Sequence, residues 1–209
     1  MASLWQRRVG DEFATVKAAF LQARPKPAVS LPCPHECGCA HAVVRHDDGR
    51  IVAVCRCDPW NCDDIPLIDA DLVVYELSWP KLGRALAGAF GFAAKGGGFK
   101  LPGTMQIGAY ASAAVPVVLT IQHEPAEFRS VVAELAARLR EPFILFAPTS
   151  RFVDGTCKEL LANCRAGFFA LESHVSLTTQ GNLQARKTGA ELFARFLPEE
   201  KEPQHENEG

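Results

Sequence analysis

The chain has 209 residues, 48% of them apolar, and a formal net charge of −2. That length and apolar share suit one domain, or one domain with a small appendage, and supply a core large enough that no cross-link need be the sole source of stability. No run approaches the roughly 20 uninterrupted apolar residues of a membrane span. Residues 1–8 carry charge without the apolar stretch of a signal peptide, so we expect a cytoplasmic, reducing setting and no membrane contact.

In chain order, residues 4–23 read as one amphipathic helix with Trp5, Val9, Phe13, Val16 and Phe20 on a single stripe. Such a stripe docks on its own domain or, alternatively, meets a partner. Arg24-Pro25-Lys26-Pro27 ends the helix and forms a stiff linker. Residues 1–30 are thus expected to be helix and linker.

Residues 31–65 form the next module. Six of the eight cysteines lie here in two clusters, Cys33, Cys37 and Cys39, then Cys55, Cys57 and Cys62, with His35 and His41 among the first three. The intervening residues read as a β-hairpin, with strands at 41–45 and 51–54 and turn chemistry at Asp48-Gly49. Two cysteine clusters at the base of one hairpin point to a thiolate metal site, most simply one structural Zn²⁺ per chain. All six cysteines are candidate ligands. The set Cys33, Cys37 or Cys39, Cys57 and Cys62 is favoured, with Cys55 and His41 as substitutes. A catalytic zinc, an iron–sulfur cluster, a redox thiol pair and a disulfide framework remain alternatives.

Cys33-Pro-His-Glu-Cys37-Gly38 resembles the Cys-Pro-x-Cys-Gly knuckle of zinc ribbons with one residue inserted. The resemblance covers this module alone and implies a structural element without an activity. It departs from the ribbon pattern in offering six cysteines for four positions and in the spacing of the second cluster.

Residues 66–197 are expected to form an α/β (or α+β) domain. Residues 71–77 have strand composition, and Ser78 and Pro80 open a helix through Leu82, Leu86 and Phe90. Gly91 and Gly96 have the spacing of a phosphate loop, but Gly97 and Gly98 stand where Lys and Ser/Thr are needed, so the glycines read as a flexible turn. Residues 105–110 and 115–121 are two adjacent strands. Pro125 then opens a helix with Phe128, Val131, Val132, Leu135 and Leu139 on one face. Residues 143–146 form an apolar strand, Thr156 and Glu159 have capping-box spacing for a second helix, and residues 167–171 form a third strand. This is the βαβαβ pattern of a sheet covered on both faces. On the second helix Cys157 and Cys164 read as packing residues. Residues 175–178 and 182–184 form a hairpin, 188–197 a last helix, and 198–209 a disordered acidic tail.

Three functional readings compete. The first is a zinc-binding regulator or adaptor acting through a protein partner. Residues 31–70 carry three basic and seven acidic side chains, and a Zn(Cys)₄ centre would add more negative charge, which disfavours phosphate contact by this module. The second is a nucleic-acid-binding regulator in which helices 126–140 and 154–165 and a hairpin over 168–183 form a winged helix. The third is a small-molecule-binding protein or enzyme, its site at the carboxyl ends of the parallel strands. There His123, Glu124, Thr149, Ser150, Arg151, Glu172 and His174 would converge. Arg151 would hold an anionic group, and the two histidines would be acid–base candidates. With no nucleophile elbow, dinucleotide fingerprint or Walker loop, no catalytic residue is assigned.

Overall fold

The computed structural model describes residues 2–33, 38–57, 62–97, 99–112, 114–139 and 141–196. Predicted ligand Cys37, together with His35 and the acidic tail, lies outside them. The chain divides into two compact units, the first ending at Ser78 and the second beginning at Trp79. The expected boundary at residue 66 therefore lies later in the structure, and the N-terminal helices belong with the cysteine module.

The first unit opens with α1 (Ala2–Val9) and, after one 3₁₀ turn, α2 (Phe13–Phe20). The single helix expected over 4–23 is thus two. Gly10 adopts φ +64°, a left-handed conformation that glycine tolerates and that interrupts a right-handed helix. The second helix stops at Phe20 because the next residues enter a strand. Here β1 (Leu21–Ala23) is followed by β2 (Ser30–Pro32), β3 (Ala40–Arg45), β4 (Ile51–Cys55), β5 (Ile65–Leu67) and β6 (Tyr75–Leu77).

β1 pairs antiparallel with β6, a long-range contact no local pattern announces. It anchors the apolar stripe: Trp5 Nε1 donates to the Tyr75 carbonyl at 3.1 Å, Phe13 meets the Tyr75 ring edge-on, and Phe20 is buried. The stripe therefore docks within its own unit. The strand expected over 71–77 is shortened to β6. Asp71 instead turns back to accept the Ile68 N–H at 2.9 Å, closing a 3₁₀ turn that buries Leu72.

β2, β3, β4 and β5 form one antiparallel sheet in that order. The hairpin expected from Asp48-Gly49 is present, with Gly49 at φ +84° and His46 and Arg50 bonded across its base. Alternation on β4 buries Ile51, Ala53 and Cys55. His41 lies opposite Cys55 in the β3–β4 register and is itself buried.

The second unit starts with α3 (Trp79–Phe90), then β7 (Ala93–Gly97), β8 (Thr104–Tyr110), β9 (Val115–Thr120), α4 (Pro125–Leu139), β10 (Ile144–Ala147), α5 (Gly155–Asn163) and β11 (Gly167–Ala170). A short helix α6 (Leu171–His174), the hairpin β12 (Val175–Leu177) and β13 (Leu183–Ala185), and α7 (Gly189–Phe193) complete it. The main sheet has the order β11-β10-β9-β8-β7. β9, β10 and β11 are parallel, and β7 and β8 add two antiparallel strands.

The expected βαβαβ unit is therefore present. Alternating side chains split the core into two layers. Val117, Leu119, Ile144, Phe146 and Phe169 face Leu86, Phe90 and Phe193, from α3 and α7. Val118, Leu145 and Ala147 face Phe128, Val132, Leu135, Cys157 and Leu161, from α4 and α5. Both crossover helices thus cover one face, as short right-handed connections between adjacent parallel strands require.

Three expectations for this unit need correction. The glycine-rich stretch is no free turn: Ala93–Gly97 forms edge strand β7 against β8, with a register shift between Ala94 and Gly97. Gly108 on β8 permits this approach, since a Cβ there would lie 2.5 Å from the Ala93 carbonyl oxygen. The cap of α5 is Asp154, not Thr156. Asp154 is extended and its carboxylate accepts the Cys157 N–H at 2.8 Å. The winged-helix arrangement is absent, because β10 enters the parallel sheet between α4 and α5 and residues 168–170 belong to β11. No helix among the described residues is long and apolar enough to cross a membrane.

Candidate metal centre

The ends of β2, β3 and β4 bring the cysteines together. Cys33 follows β2, Cys39 precedes β3, Cys55 ends β4, and Cys57 and Cys62 lie beyond it. A backbone bond from Cys33 N–H to the Cys39 carbonyl at 3.0 Å holds the first two segments in register. The sulfurs of Cys33 and Cys62 stand 3.5 Å apart, and that of Cys39 lies 3.9 Å from both Cys62 and Cys55. These distances are far beyond the roughly 2.05 Å of a disulfide, and none of the seven described cysteines is disulfide-bonded.

Two ligand groups emerge, each with its donor atoms within 4.8 Å of one another. They are Cys33, Cys39, His41 and Cys62, and Cys39, Cys55 and Cys57. Each group can hold a metal ion. Five of the six predicted cysteines therefore converge. The structure gathers Cys57 with Cys39 and Cys55, whereas the first group recruits His41.

His41 is 0% exposed. Its Nδ1 faces the Ala53 carbonyl oxygen at 3.4 Å. A carbonyl partner requires Nδ1 to carry the hydrogen, which leaves a lone pair on Nε2. Nε2 is buried without a conventional hydrogen-bond partner among the described residues, a costly condition unless another species occupies that lone pair. A carbonyl on one ring nitrogen and a cation on the other is how metal-bound histidines are oriented. Burial opposes the charged imidazole, but the Cys33 sulfur, the Ala53 carbonyl and the nearby Cys33 and Cys55 thiolates outweigh it and raise its pKa above 6.5. The sulfurs and the carbonyl around the ring thus favour positive charge on it.

Cys55 shows the same preparation. The Cys57 N–H points at its sulfur at 3.4 Å, and chiefly this bond lowers the Cys55 thiol from 9.0 to about 7, against its burial. Backbone N–H groups directed at sulfur stabilise thiolate ligands. Cys157, by contrast, is pushed up by burial in the α4–α5 layer, and Cys164 contacts the Ala136 carbonyl at 3.7 Å. Both are packing residues.

The seven strand-end residues are held largely in local structure. Glu172 accepts from the Ser150 N–H at 2.8 Å and hydroxyl at 3.1 Å, and Thr149 Oγ1 accepts the Arg151 N–H at 2.8 Å. His174 Nδ1 bonds the Ala170 carbonyl at 2.8 Å, and the Arg151 guanidinium lies 5.7 Å from the Phe152 ring centre. His123 and Glu124 are exposed. A cavity of about 400 Å³ beyond β9 is lined instead by Leu101, Pro102, Gln122, Ala126, Glu127 and Val131.

Sequence reading ranked His41 below the cysteines because alternation makes it look like an ordinary strand residue. Its place opposite Cys55 was the available signal. No family model matches the chain, and no curated protein and no solved structure matches it either.

Proposed function

We propose that the first unit is a structural zinc module through which an intracellular regulatory or adaptor protein meets a protein partner. The observation that carries the zinc assignment is the tetrad of Cys33, Cys39, His41 and Cys62, in which the buried His41 Nε2 has no nitrogen or oxygen partner among the described residues. A Zn–S bond of about 2.3 Å in a tetrahedron sets sulfur–sulfur edges of about 3.8 Å. The separations of 3.5 and 3.9 Å bracket that value. Three thiolates and one imidazole form a closed shell, which suits a structural ion.

Clustered cysteines with no disulfide among the described residues favour a reducing compartment. Acidic side chains outnumber basic ones in residues 31–70, and metal-bound thiolates would add negative charge, so phosphate is a poor partner for this module. The test is Co²⁺ substitution of the full chain. Tetrahedral ligand-field bands with sulfur charge transfer are expected, and an octahedral spectrum would overturn the assignment. A mobility shift on generic DNA at low salt should show no complex. Salt-sensitive binding lost on charge reversal within residues 31–65 would overturn the partner reading.

A further inference from the structure

The two ligand groups are not independent, because Cys39 belongs to both. Its sulfur lies 3.9 Å from Cys62 on one side and 3.9 Å from Cys55 on the other. Both separations match the edge of about 3.8 Å expected of two thiolates sharing one tetrahedral zinc. A thiolate sulfur has lone pairs enough to join two cations, so one sulfur can be a corner of two tetrahedra. Cys55 and Cys57 remain after the tetrad is complete. Cys55 is 1% exposed and accepts the Cys57 N–H, which shapes its sulfur as a thiolate without giving it a cation.

Charge points the same way. Five cysteine sulfurs in two groups, once coordinated as thiolates, would exceed one dication by three charges and two dications by one. Cys33 and Cys55 are buried, where excess negative charge is costly.

Resting on the zinc reading above, we propose that the centre binds two zinc ions bridged by the Cys39 sulfur. Cys33, Cys39, His41 and Cys62 hold one ion, and Cys39, Cys55 and Cys57 hold three corners of the other. The second site has fewer protein donors among the described residues and is the more readily emptied.

Native mass spectrometry of the full chain, reconstituted with Zn²⁺ and desalted, reads the count directly. Two ions per chain are expected. One ion leaves the structural-zinc reading intact and overturns this inference, and none overturns both. Cys57→Ser removes a ligand of the second site only, so it should lower the count to one and keep the tetrahedral Co²⁺ spectrum of the first. Retention of two ions in that variant would overturn the assignment. Cys39→Ser risks misfolding, so the bridge is tested in the wild-type chain loaded with ¹¹³Cd. Two cadmium resonances, both coupled to the Cys39 β-protons, are expected. Coupling of Cys39 to one resonance alone would overturn the bridge.

Discussion

At the scale of single residues, His41 distinguishes a metal centre from a thiol cluster. Its Nδ1 contact with Ala53 sets the ring, and its buried Nε2 has no other described use. Loss of a residue that merely orients a ligand typically costs 10–100-fold in metal affinity, so loss of the ligand itself should cost more. His41→Ala should therefore weaken Zn²⁺ binding by more than about 100-fold, measured by competition with a chromophoric chelator. His41→Cys should recover most of that affinity. Equal affinity in wild type and His41→Ala would remove histidine from the site. The cysteines are legible in the sequence because clustered thiols have few other uses, whereas His41 enters there only as a substitute ligand, because its place in the tetrad depends on cross-strand register.

Elements show where local pattern sufficed. The hairpin β3–β4 followed from Asp48-Gly49, and β9 to β11 followed from short apolar runs separated by helical periodicity. β7 was missed because exposed Ala, Lys and Gly carry no strand signal, and its pairing depends on the room left by Gly108. The start of α5 was misplaced because two capping patterns overlap, and the extended Asp154 prevailed. The Cys157 N–H and then Arg129, 2.6 Å away, hold the Asp154 carboxyl down at about 2. A depressed carboxyl stabilises the fold above its ordinary value of 3.8 and loses that contribution as pH falls through about 2. Asn caps about as well as Asp, and exposed ion pairs contribute little. Asp154→Asn should thus unfold near the wild-type temperature at pH 7, and Asp154→Ala a few degrees lower. Calorimetry giving equal losses for both would assign the effect to the Arg129 pair.

For the whole molecule, the division at Ser78 and Trp79 separates two sources of stability. The second unit has its own two-layer core, with Phe146 fully buried against Phe90, Phe169 and Phe193. The first unit has shorter strands, and its sheet ends at the cysteines. Strong chelation should consequently unfold or loosen the first unit while the helices of the second persist. Hydrogen exchange should lose protection at residues 40–55 and retain it at 117–119 and 144–146. Collapse of both together would show that the second core does not stand alone. In the sequence the boundary falls at residue 66, just past the last of the clustered cysteines. The boundary lies later because β1 captures β6, a pairing set by tertiary structure.

The central claim is that Cys33, Cys39, His41 and Cys62 share a zinc ion. Zinc K-edge X-ray absorption of the purified full chain tests it most directly. The account predicts a sulfur-dominated shell near 2.3 Å, together with imidazole outer-shell scattering that disappears in His41→Ala. An oxygen-dominated shell, or an imidazole signal that survives that substitution, would contradict it.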